Sequence, residues 1–339
     1  MQLCVIEGDG IGHEVIPAAL EVLSATGLAF DVRATEAGWA CFETHGTALP
    51  ATTLAAAQEA DAILFGAVSS PSHRVAGYSS PIVALRLALG LFANLRPSVS
   101  WPTPASRPDV DLLIVRENSE GLYVRRERRD GQTAIAERVI TRDGSARVAR
   151  VACEWAMRRR RHVTIVHKAN VLPETCGLFR QTALAVAEGY PALAVDEMLV
   201  DAMALQLVMH PERFDVIVTT NLFGDILSDE AAGLVGGLGL APSANVGAGP
   251  RPALFEPVHG SAPDIAGQGI ANPLAAFLSV AMLLDHSNEA VRATAVRAAV
   301  AHVIAHGPHT PDLGGEATTT DVTDAVVGMV ELALMRDKG

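Results

Sequence analysis

The feature that most constrains the fold is an alternation of short apolar runs with longer segments of helical periodicity along the whole chain. Short apolar runs bounded by turn residues predict buried strands, and the periodic segments between them predict helices that cover those strands. The predicted strands are 3–6, 30–33, 62–65, 110–115, 163–166, 193–195 and 214–219. The predicted helices are 12–25, 50–59, 145–159, 174–187, 202–210, 224–235, 273–284, 288–306 and 320–335. This order predicts an α/β fold with many parallel strands.

Polar residues follow several of these strands directly. The segments 7–10, 69–70, 116–118 and 167–170 each begin where an apolar run ends. Ligands of open α/β sheets bind at the carboxyl ends of the strands. If the strands all point the same way, these polar groups lie at one edge, so we expect a single shared cleft there.

Composition narrows the class of protein. The chain has 339 residues, 49% hydrophobic and 19% charged, which predicts one large or two medium globular domains. The net charge of −12 argues against nucleic acid as a partner. No apolar run reaches the length of a membrane span, and 3–6 is too short for a signal-peptide core. The four cysteines are scattered without metal-ligand spacing, so we expect reduced thiols in a cytoplasmic protein.

The segment 7–13 (EGDGIGH) places glycines between a predicted strand and a predicted helix. It is similar to a dinucleotide-binding fingerprint, but the G-x-G-x-x-G spacing from Gly8 would need a glycine where the chain has His13. We therefore expect a tight turn that brings the backbone close to a ligand, and not a Rossmann fold.

The segment 221–229 (NLFGDILSD) carries the strongest local signal. Asp225 and Asp229 are four residues apart, so on a helix they share one face. Two carboxylates one turn apart repel each other unless a cation lies between them, and such hard oxygen ligands suit Mg²⁺ or Mn²⁺. The alternative is a pair of solvated acids at the favourable end of a helix dipole.

Lys168 is one of only two lysines among the 26 lysines and arginines of the chain. A desolvated lysine can lose its proton and act as a base, whereas arginine effectively cannot. We therefore predict a chemical role for Lys168, with an ordinary surface charge at a strand end as the alternative. Tyr123 is one of three tyrosines, and by itself it is more typical of packing than of acid catalysis.

Arg86, Arg96 and Arg116 are each flanked by apolar stretches. Each could be an ordinary ion-pair residue, but together they suggest a clamp for carboxylates through bidentate guanidinium contacts. The small-residue segment 256–267 (EPVHGSAPDIAG), continued by 269–273 (GIANP), could wrap an extended ligand through its backbone N–H groups. Asp264 could accept both hydroxyls of an adenosine ribose and repel a 2′-phosphate.

Together these motifs closely resemble the β-decarboxylating dehydrogenases, the family of isocitrate, 3-isopropylmalate, homoisocitrate and tartrate dehydrogenases. The resemblance runs from 8–12 (GDGIG) to 310–315 (TPDLGG), and its most specific parts are 221–229 and 256–272. It implies a two-domain α/β/α sandwich. The implied large domain comprises 1–97 and 253–339 with the cofactor loop. The implied small domain comprises 98–252, with an arm at about 125–143 and the dimer interface.

The resemblance also implies the roles of individual residues. Tyr123 and Lys168 would be catalytic, Lys168 helping to take the hydroxyl proton (with Asp201, from a partner subunit) and Tyr123 protonating an enolate. The metal ligands would be Asp201, Asp225 and Asp229. The substrate would be held by Ser70, Ser80, Val83, Arg86, Arg96, Arg116, Tyr123, Lys168 and Asn170. The cofactor would be held by Val68, Ser69, Ser70, Asn170, Glu256, His259, Gly260, Ser261, Ala262, Asp264, Ile265 and Asn272.

The implied reaction is oxidation of a small polycarboxylic 2-hydroxy acid followed by loss of its β-carboxylate, with Mg²⁺ or Mn²⁺. Asp264 and Ile265 match the NAD-type pattern, since NADP-type relatives carry lysine and tyrosine at these positions. Family members are dimers or tetramers with active sites shared between subunits. We therefore expect a homodimer or tetramer acting on a tricarboxylic 2-hydroxy acid, without nucleic-acid or membrane partners.

Substrate choice within this family depends on the helix before the first arginine, here 77–86 (GYSSPIVALR). Ser80, Val83 and Arg86 fall on one helical face. Serines there suggest a polar substituent that ends in a carboxylate, and the string is similar to that of fungal-type homoisocitrate dehydrogenases. The prediction is homoisocitrate, with 3-isopropylmalate or isocitrate as alternatives. Some homoisocitrate enzymes that also use isocitrate carry arginine at the position of Val83, and this departure disfavours isocitrate and leaves room for 3-isopropylmalate. A non-catalytic regulatory subunit is the alternative from another class, although all the catalytic groups are present.

Overall fold

The computed structural model describes residues 1–71, 73, 75–249 and 252–336. The predicted domain ranges also include residues 72, 74, 250, 251 and 337–339, which lie outside the described residues. The strands are β1 (Gln2–Gly8), β2 (Asp31–Thr35), β3 (Ala62–Ala67), β4 (Ala93–Val99), β5 (Asp111–Glu117), β6 (Glu127–Asp130), β7 (Thr133–Ala136), β8 (His162–His167), β9 (Ala194–Leu199), β10 (Val216–Thr219), β11 (Pro242–Val246) and β12 (Ala253–Pro257).

The helices cover both faces of the sheet. They are α1 (Gly12–Ala25), α2 (Trp39–His45), α3 (Ala51–Glu59), α4 (Pro81–Leu89), α5 (Arg142–Met157), α6 (Thr175–Ala187), α7 (Val200–Met209), α8 (Asn221–Leu234), α9 (Leu274–His286), α10 (Ala290–His306) and α11 (Thr319–Arg336). The α/β prediction is confirmed, and every predicted strand and helix has a counterpart, most with shifted ends and α1 with the predicted ones. The sequence-based prediction missed β4, β6, β7, β11, β12 and α2. No helix among the described residues is both long enough and apolar enough to cross a bilayer.

Ten strands form one sheet in the order β2-β1-β3-β12-β11-β4-β5-β10-β8-β9. The strands β2, β1, β3 and β12 are parallel to one another, and so are β5, β10, β8 and β9. In the middle, β11 is antiparallel to both β12 and β4, and β4 is antiparallel to β5. An odd number of reversals separates the two parallel blocks, so they point in opposite directions.

This topology corrects the expectation of one shared edge of strand ends. The polar segments after β1 and β3 lie at one edge of the sheet, whereas those after β5 and β8 lie at the opposite edge. The reason is that β4, β11 and β12 were not recognised, and β11 and β4 supply the reversals. A cleft that uses both sets of groups has to lie over the middle strands.

The packing of apolar residues places that cleft. One face of the sheet carries a single core, in which alternate strand residues such as Val5, Leu64 and Val218 pack with α1, α5 and α9. The other face carries two separate clusters, one containing Ile63 beneath α3 and α4 and one containing Ile217 beneath α7 and α8. Among the described residues, neither of these two clusters contains a residue of β4 or β11.

Buried polar side chains occupy the gap between the two clusters. Asn94 on β4 donates to Ser243 Oγ at 2.6 Å and to Asn245 Oδ1 at 3.0 Å, both on β11. Asn118 donates to Asn245 Oδ1 at 2.8 Å, and Asn245 donates to Glu256 Oε1 on β12 at 2.8 Å. All five side chains are buried. They form the floor of the cleft, which we call the polar floor.

The segment predicted as an arm contains the hairpin of β6 and β7, a separate two-stranded sheet in which every residue is exposed. The division into two domains stays a prediction. Its ranges place α4 and α8 on different domains, and these helices flank the polar floor.

Replacing Asn245→Leu is expected to lower the free energy of unfolding by about 1–3 kcal/mol, because the buried side chains of Asn94, Asn118 and Glu256 each lose one of their hydrogen-bond partners. Urea denaturation followed by circular dichroism measures the change. Val246→Leu on the same strand is the control, since its half-buried side chain carries no polar atom. Equal effects of the two substitutions would show that the polar floor contributes nothing specific.

Candidate active site

Three arginines converge on the polar floor from different elements. Arg96 lies on β4, Arg116 near the end of β5, and Arg86 on α4. Arg96 donates through Nε to Asn94 Oδ1 at 2.7 Å, which ties it to the polar floor. The side chains of the three arginines are nearly or fully buried. Buried like charges at this density need carboxylate partners close by.

Asp225 and Asp229 supply two of those carboxylates. They lie one turn apart on α8, and both face Arg96, whose Nη1 is 3.4 Å from Asp225 Oδ1 and 2.9 Å from Asp229 Oδ1. The predicted shared face is confirmed. The cation that lies between these carboxylates in the free chain is the guanidinium of Arg96.

Arg116 also holds Asp225 in position, through the same carboxylate oxygen that faces Arg96. Its Nε and Nη2 donate to Asn221 Oδ1 at 3.0 and 2.8 Å, and its Nη1 donates to Asp225 Oδ1. The guanidinium also lies over the ring of Tyr123, 5.0 Å from the ring centroid. Burial and the neighbouring charge of Arg96 lower the pKa of Arg116 to about 10, so it stays a cation at neutral pH.

The hydroxyl of Tyr123 donates a hydrogen bond to Asp225 Oδ2. Burial, followed by this hydrogen bond, raises the pKa of Tyr123 above its ordinary value. Burial alone would raise the pKa of Asp225, but Arg116, the Tyr123 hydroxyl and Arg96 outweigh it and lower that pKa. The pKa of Asp229 is raised, because burial outweighs the effect of Arg96 and the charge of Asp225 adds to it.

Arg86 forms the other wall of the cleft. Its Nη2 donates to Glu256 Oε1 at 2.8 Å, in a buried ion pair that joins α4 to β12. Its Nε is buried and has no hydrogen-bond partner within the described chain. Ser80, at the start of α4, is buried, and Val83 is half-buried. Arg86 therefore keeps one donor for a further acceptor.

Lys168 and Asp201 form a second group. Lys168 Nζ donates to Asp201 Oδ1, and the Asp201 side chain is 65% exposed. Neither residue bonds to the arginines, Asp225 or Asp229 within the described chain, and Asn170 beside them is exposed. Within the described part of one chain, the three predicted metal aspartates do not bring one oxygen each to within 4.8 Å of one another. One chain thus presents two separate groups of predicted site residues.

Most of the predicted cofactor residues cluster at the edge where β1, β3 and β12 end, whereas Asn170 follows β8 at the opposite edge. Ser69 Oγ is 2.8 Å from Ser261 Oγ, and Asp9 accepts from the backbone N–H of Ser69 at 2.8 Å. Ile11 donates its N–H to the carbonyl of Ser261 at 2.9 Å. A Cβ on Gly10 would lie 2.1 Å from that carbonyl, and its φ is +57°, so this turn requires glycine.

The remaining cofactor residues differ in exposure. His259 Nδ1 is 3.0 Å from the Gly260 carbonyl, its Nε2 is buried without a partner among the described residues, and burial lowers its pKa. Asn272 is buried and donates to Asp312 Oδ2 at 2.9 Å. Asp264, Gly260 and Ser70 are exposed, whereas Val68, Ala262 and Ile265 are half-buried. Glu256 forms the ion pair with Arg86 that is described above.

Comparison with known proteins identifies the family. The sequence profile described as "Isocitrate/isopropylmalate dehydrogenase" matches residues 2–326. The chain belongs to this family. It is 58% identical over 327 residues to an "Isocitrate/homoisocitrate dehydrogenase" of Thermus thermophilus, covering 96% of this chain and 97% of that protein. It is 48% identical over 333 residues to a "3-isopropylmalate dehydrogenase" of Methanothermobacter thermautotrophicus, covering 98% and 99%.

The fold agrees with solved structures of the family. The structure of an isocitrate dehydrogenase from Methylococcus capsulatus superposes with a TM-score of 0.93 at 44% identity, covering 97% of this chain and 99% of that one. The predicted family and the predicted non-Rossmann α/β fold are thereby confirmed, and the chain is a dehydrogenase of this family. The relatives differ in the substrates their names give, so membership alone does not choose among the three acids.

A divalent cation fits the residues present on α8. Asp225 and Asp229 offer oxygen ligands on one helix face, and Asp229 is half exposed with one oxygen free of bonds within the described chain. Hard oxygen ligands of this kind suit Mg²⁺ or Mn²⁺.

Four asparagines in the cleft were absent from the predicted site: Asn94, Asn118, Asn221 and Asn245. Asn118 lies in the segment 116–118, which the sequence had already marked as a polar strand end, and Asn221 begins the segment 221–229. The signal for the other two is the strict alternation of apolar and polar residues in 93–96 and 242–246, which predicts half-buried strands with one polar face.

The opposite pKa shifts of the two α8 carboxylates predict opposite effects of pH. The pKa of Asp225 is lower in the folded chain, so its contribution to stability is present above the ordinary aspartate pKa and is lost as pH falls. The difference in unfolding free energy between wild type and Asp225→Asn should therefore stay nearly constant down to about pH 5 and shrink as pH falls below about 4. Urea titrations at each pH measure it.

Asp229→Asn is the matched control. The pKa of Asp229 is raised, so its charged form is disfavoured in the folded chain, and its difference from wild type should move in the other direction as pH falls. Parallel pH curves for the two variants would contradict the described pairing of Asp225 with Arg116.

Proposed function

We propose that the chain catalyses the NAD-dependent oxidative decarboxylation of homoisocitrate to 2-oxoadipate, in lysine biosynthesis through 2-aminoadipate. The observation that carries the proposal is the convergence of Arg86, Arg96 and Arg116 on one cleft beside Asp225 and Tyr123. Guanidinium groups bind carboxylates through two parallel hydrogen bonds, and three of them match an acid with three carboxylates.

The charges of the cleft support a polyanionic ligand. The three arginines are balanced by Glu256, Asp225 and Asp229 in the free chain. A divalent cation held by the two aspartates would leave a net charge of about +2. It would also compete with Arg96 and Arg116 for the same carboxylates and so leave both guanidiniums free for substrate.

The cofactors have defined places in this proposal. Asp225 and Asp229 of one chain, with Asp201 of a second, would hold Mg²⁺ or Mn²⁺, which acidifies a substrate hydroxyl and stabilises negative charge developing on oxygen. NAD⁺, which accepts the hydride, would lie along the loop from His259 to Asn272. Exposed Asp264 is free to accept ribose hydroxyls, which favours NAD over a cofactor with a 2′-phosphate.

Two residues would move protons. Lys168, paired with Asp201, would help to take the proton of the substrate hydroxyl. Tyr123 keeps its own proton at neutral pH because its pKa is raised, and Arg116 and Asp225 hold its ring and hydroxyl in place. It can therefore donate a proton to the carbon that loses CO₂.

The choice of homoisocitrate rests on the start of α4. Ser80 is buried there and Arg86 keeps its Nε free, so this wall offers polar contacts to a substituent that ends in a carboxylate. Half-buried Val83 favours a second candidate, 3-isopropylmalate, because it offers an apolar contact on the same face.

We also propose that the chain works as a homodimer or tetramer with shared active sites. Apolar side chains are exposed beside both groups of predicted site residues. Val171 is 63% exposed near Lys168, Leu205 is 59% exposed on α7, and Ile226 is 59% exposed next to Asp225. Helices α7 and α8 pack together, so Leu205 and Ile226 lie on neighbouring helices. Covering these exposed side chains with a second copy would bring Lys168 of one chain towards Asp225 of the other.

Steady-state kinetics with NAD⁺ and Mg²⁺ tests the substrate. We expect kcat/KM to be highest for homoisocitrate and lower for isocitrate and 3-isopropylmalate, with little activity when NADP⁺ replaces NAD⁺. Val83→Arg should shift the preference towards isocitrate, and Val83→Leu serves as the control of similar polarity. A kcat/KM highest for 3-isopropylmalate would refute the substrate assignment, and no NADH with any acid would favour a regulatory subunit.

Mixing two inactive variants tests the shared site. Lys168→Met and Tyr123→Phe should each lose most activity alone. After the subunits are unfolded and refolded together, about a quarter of wild-type activity should return, because half of randomly paired dimers are heterodimers with one intact site. Recovery is not expected if both residues act within one chain, and its absence despite mixed dimers on native mass spectrometry would contradict the proposal.

A further inference from the structure

A second cluster of ligand-type side chains lies away from the cleft. Helix α2 and the end of β2 border a cavity of about 520 Å³ beside the carboxyl ends of β1 and β2. Glu36, Cys41 and His45 line this cavity, with Glu7 and His13 on the side of β1. None of these residues belongs to the substrate, metal or cofactor groups described above.

The three side chains are arranged as metal ligands are. Cys41 and His45 are four residues apart on α2, so they share one face of the helix. Glu36 follows β2 and reaches the same point, and one ligand atom from each residue lies within 4.8 Å of the other two. His45 Nε2 is 3.4 Å from Glu36 Oε2. Ligand atoms around one Zn²⁺ lie about 3–4 Å apart, so small side-chain rotations are enough.

The chemistry of these ligands differs from that of the α8 aspartates. A thiolate, an imidazole and a carboxylate together suit Zn²⁺ and similar transition metals, whereas carboxylates alone suit Mg²⁺. Cys41 makes no hydrogen bond among the described residues, and its side chain is buried against the cavity. Three protein ligands with a cavity beside them leave a coordination position open, as in sites that bind an exchangeable ligand.

We propose that Glu36, Cys41 and His45 form a binding site for a divalent transition metal of the Zn²⁺ type, with one coordination position facing the cavity. The spacing of cysteines alone does not reveal it, because two of the three ligands are not cysteine and one lies on the neighbouring strand end. The proposal is independent of the reaction assigned to the cleft.

The position of the site links it to the cofactor edge. Asp9 accepts from the N–H groups of Trp39 and Ala40 at the start of α2, at 2.7 and 3.0 Å, and also from Ser69. Trp39 packs edge-on against Tyr78, whose hydroxyl donates to the Ser69 carbonyl at 2.9 Å. A metal bound by residues of α2 and of the end of β2 would restrict the motion of α2, the helix that is linked to Ser69 through Asp9 and Tyr78.

Co²⁺ is the probe, because a thiolate ligand gives it a near-ultraviolet charge-transfer band that oxygen ligands do not give. Chelator-treated protein titrated with Co²⁺ should show this band, saturating at one ion per chain, and Zn²⁺ but not Mg²⁺ should remove it. Cys41→Ser should abolish the band. Cys153→Ser, which changes a buried cysteine of α5, is the matched control and should retain it.

His45→Gln and Glu36→Gln extend the test to exposed side chains, whose replacement does not endanger folding. Each should weaken Co²⁺ binding about tenfold or more. Absence of the band at millimolar Co²⁺ in wild-type protein would overturn the proposal, as would a band that survives Cys41→Ser. Melting temperatures of the metal-free variants verify that each is folded.

Discussion

The hydrogen-bonded chain from Arg96 through Asn94, Asn245 and Glu256 to Arg86 is the interaction on which the cleft depends. It crosses β4, β11 and β12, the strands that join the two halves of the sheet. Buried polar groups are costly when unpaired and specific when fully paired. This series of hydrogen bonds therefore sets the distance between Arg96 and Arg86, and it keeps apolar side chains out of the space above the polar floor.

The direction of the strands explains why the cleft lies on a face and not at an edge. Because the two parallel blocks point in opposite directions, the groups after β3 and those after β5 cannot meet at one row of strand ends. They approach one another only over the antiparallel strands between the blocks. The helices α4 and α8 stand on either side of these strands, and the single apolar core on the opposite face supports all of them.

Much of the fold followed from the sequence because strands buried on both faces are continuous apolar runs. The missed strands β4 and β11 carry polar residues at alternate positions, such as Asn94 and Ser243, so no such run exists there. In β12 the apolar run is only three residues long before Glu256. The site was predicted at the level of its charged residues, since arginines and aspartates in apolar surroundings stand out. Its asparagines were not predicted, because the role of an amide depends on its hydrogen-bond partners on the neighbouring strand, and the sequence does not show which strands are neighbours.

The two aspartates of α8 show how position creates different chemistry from the same side chain. Asp225 is met by Arg116, by the hydroxyl of Tyr123 and by Arg96, so its negative charge is held firmly. Burial disfavours the negative charge of Asp229, Arg96 meets only one of its oxygens and does not outweigh that burial, and the charge of Asp225 adds to the effect. Both oxygens of Asp225 are engaged, whereas one oxygen of Asp229 has no partner within the described chain. Asp229 is therefore the carboxylate of this pair that is open to a further positively charged partner.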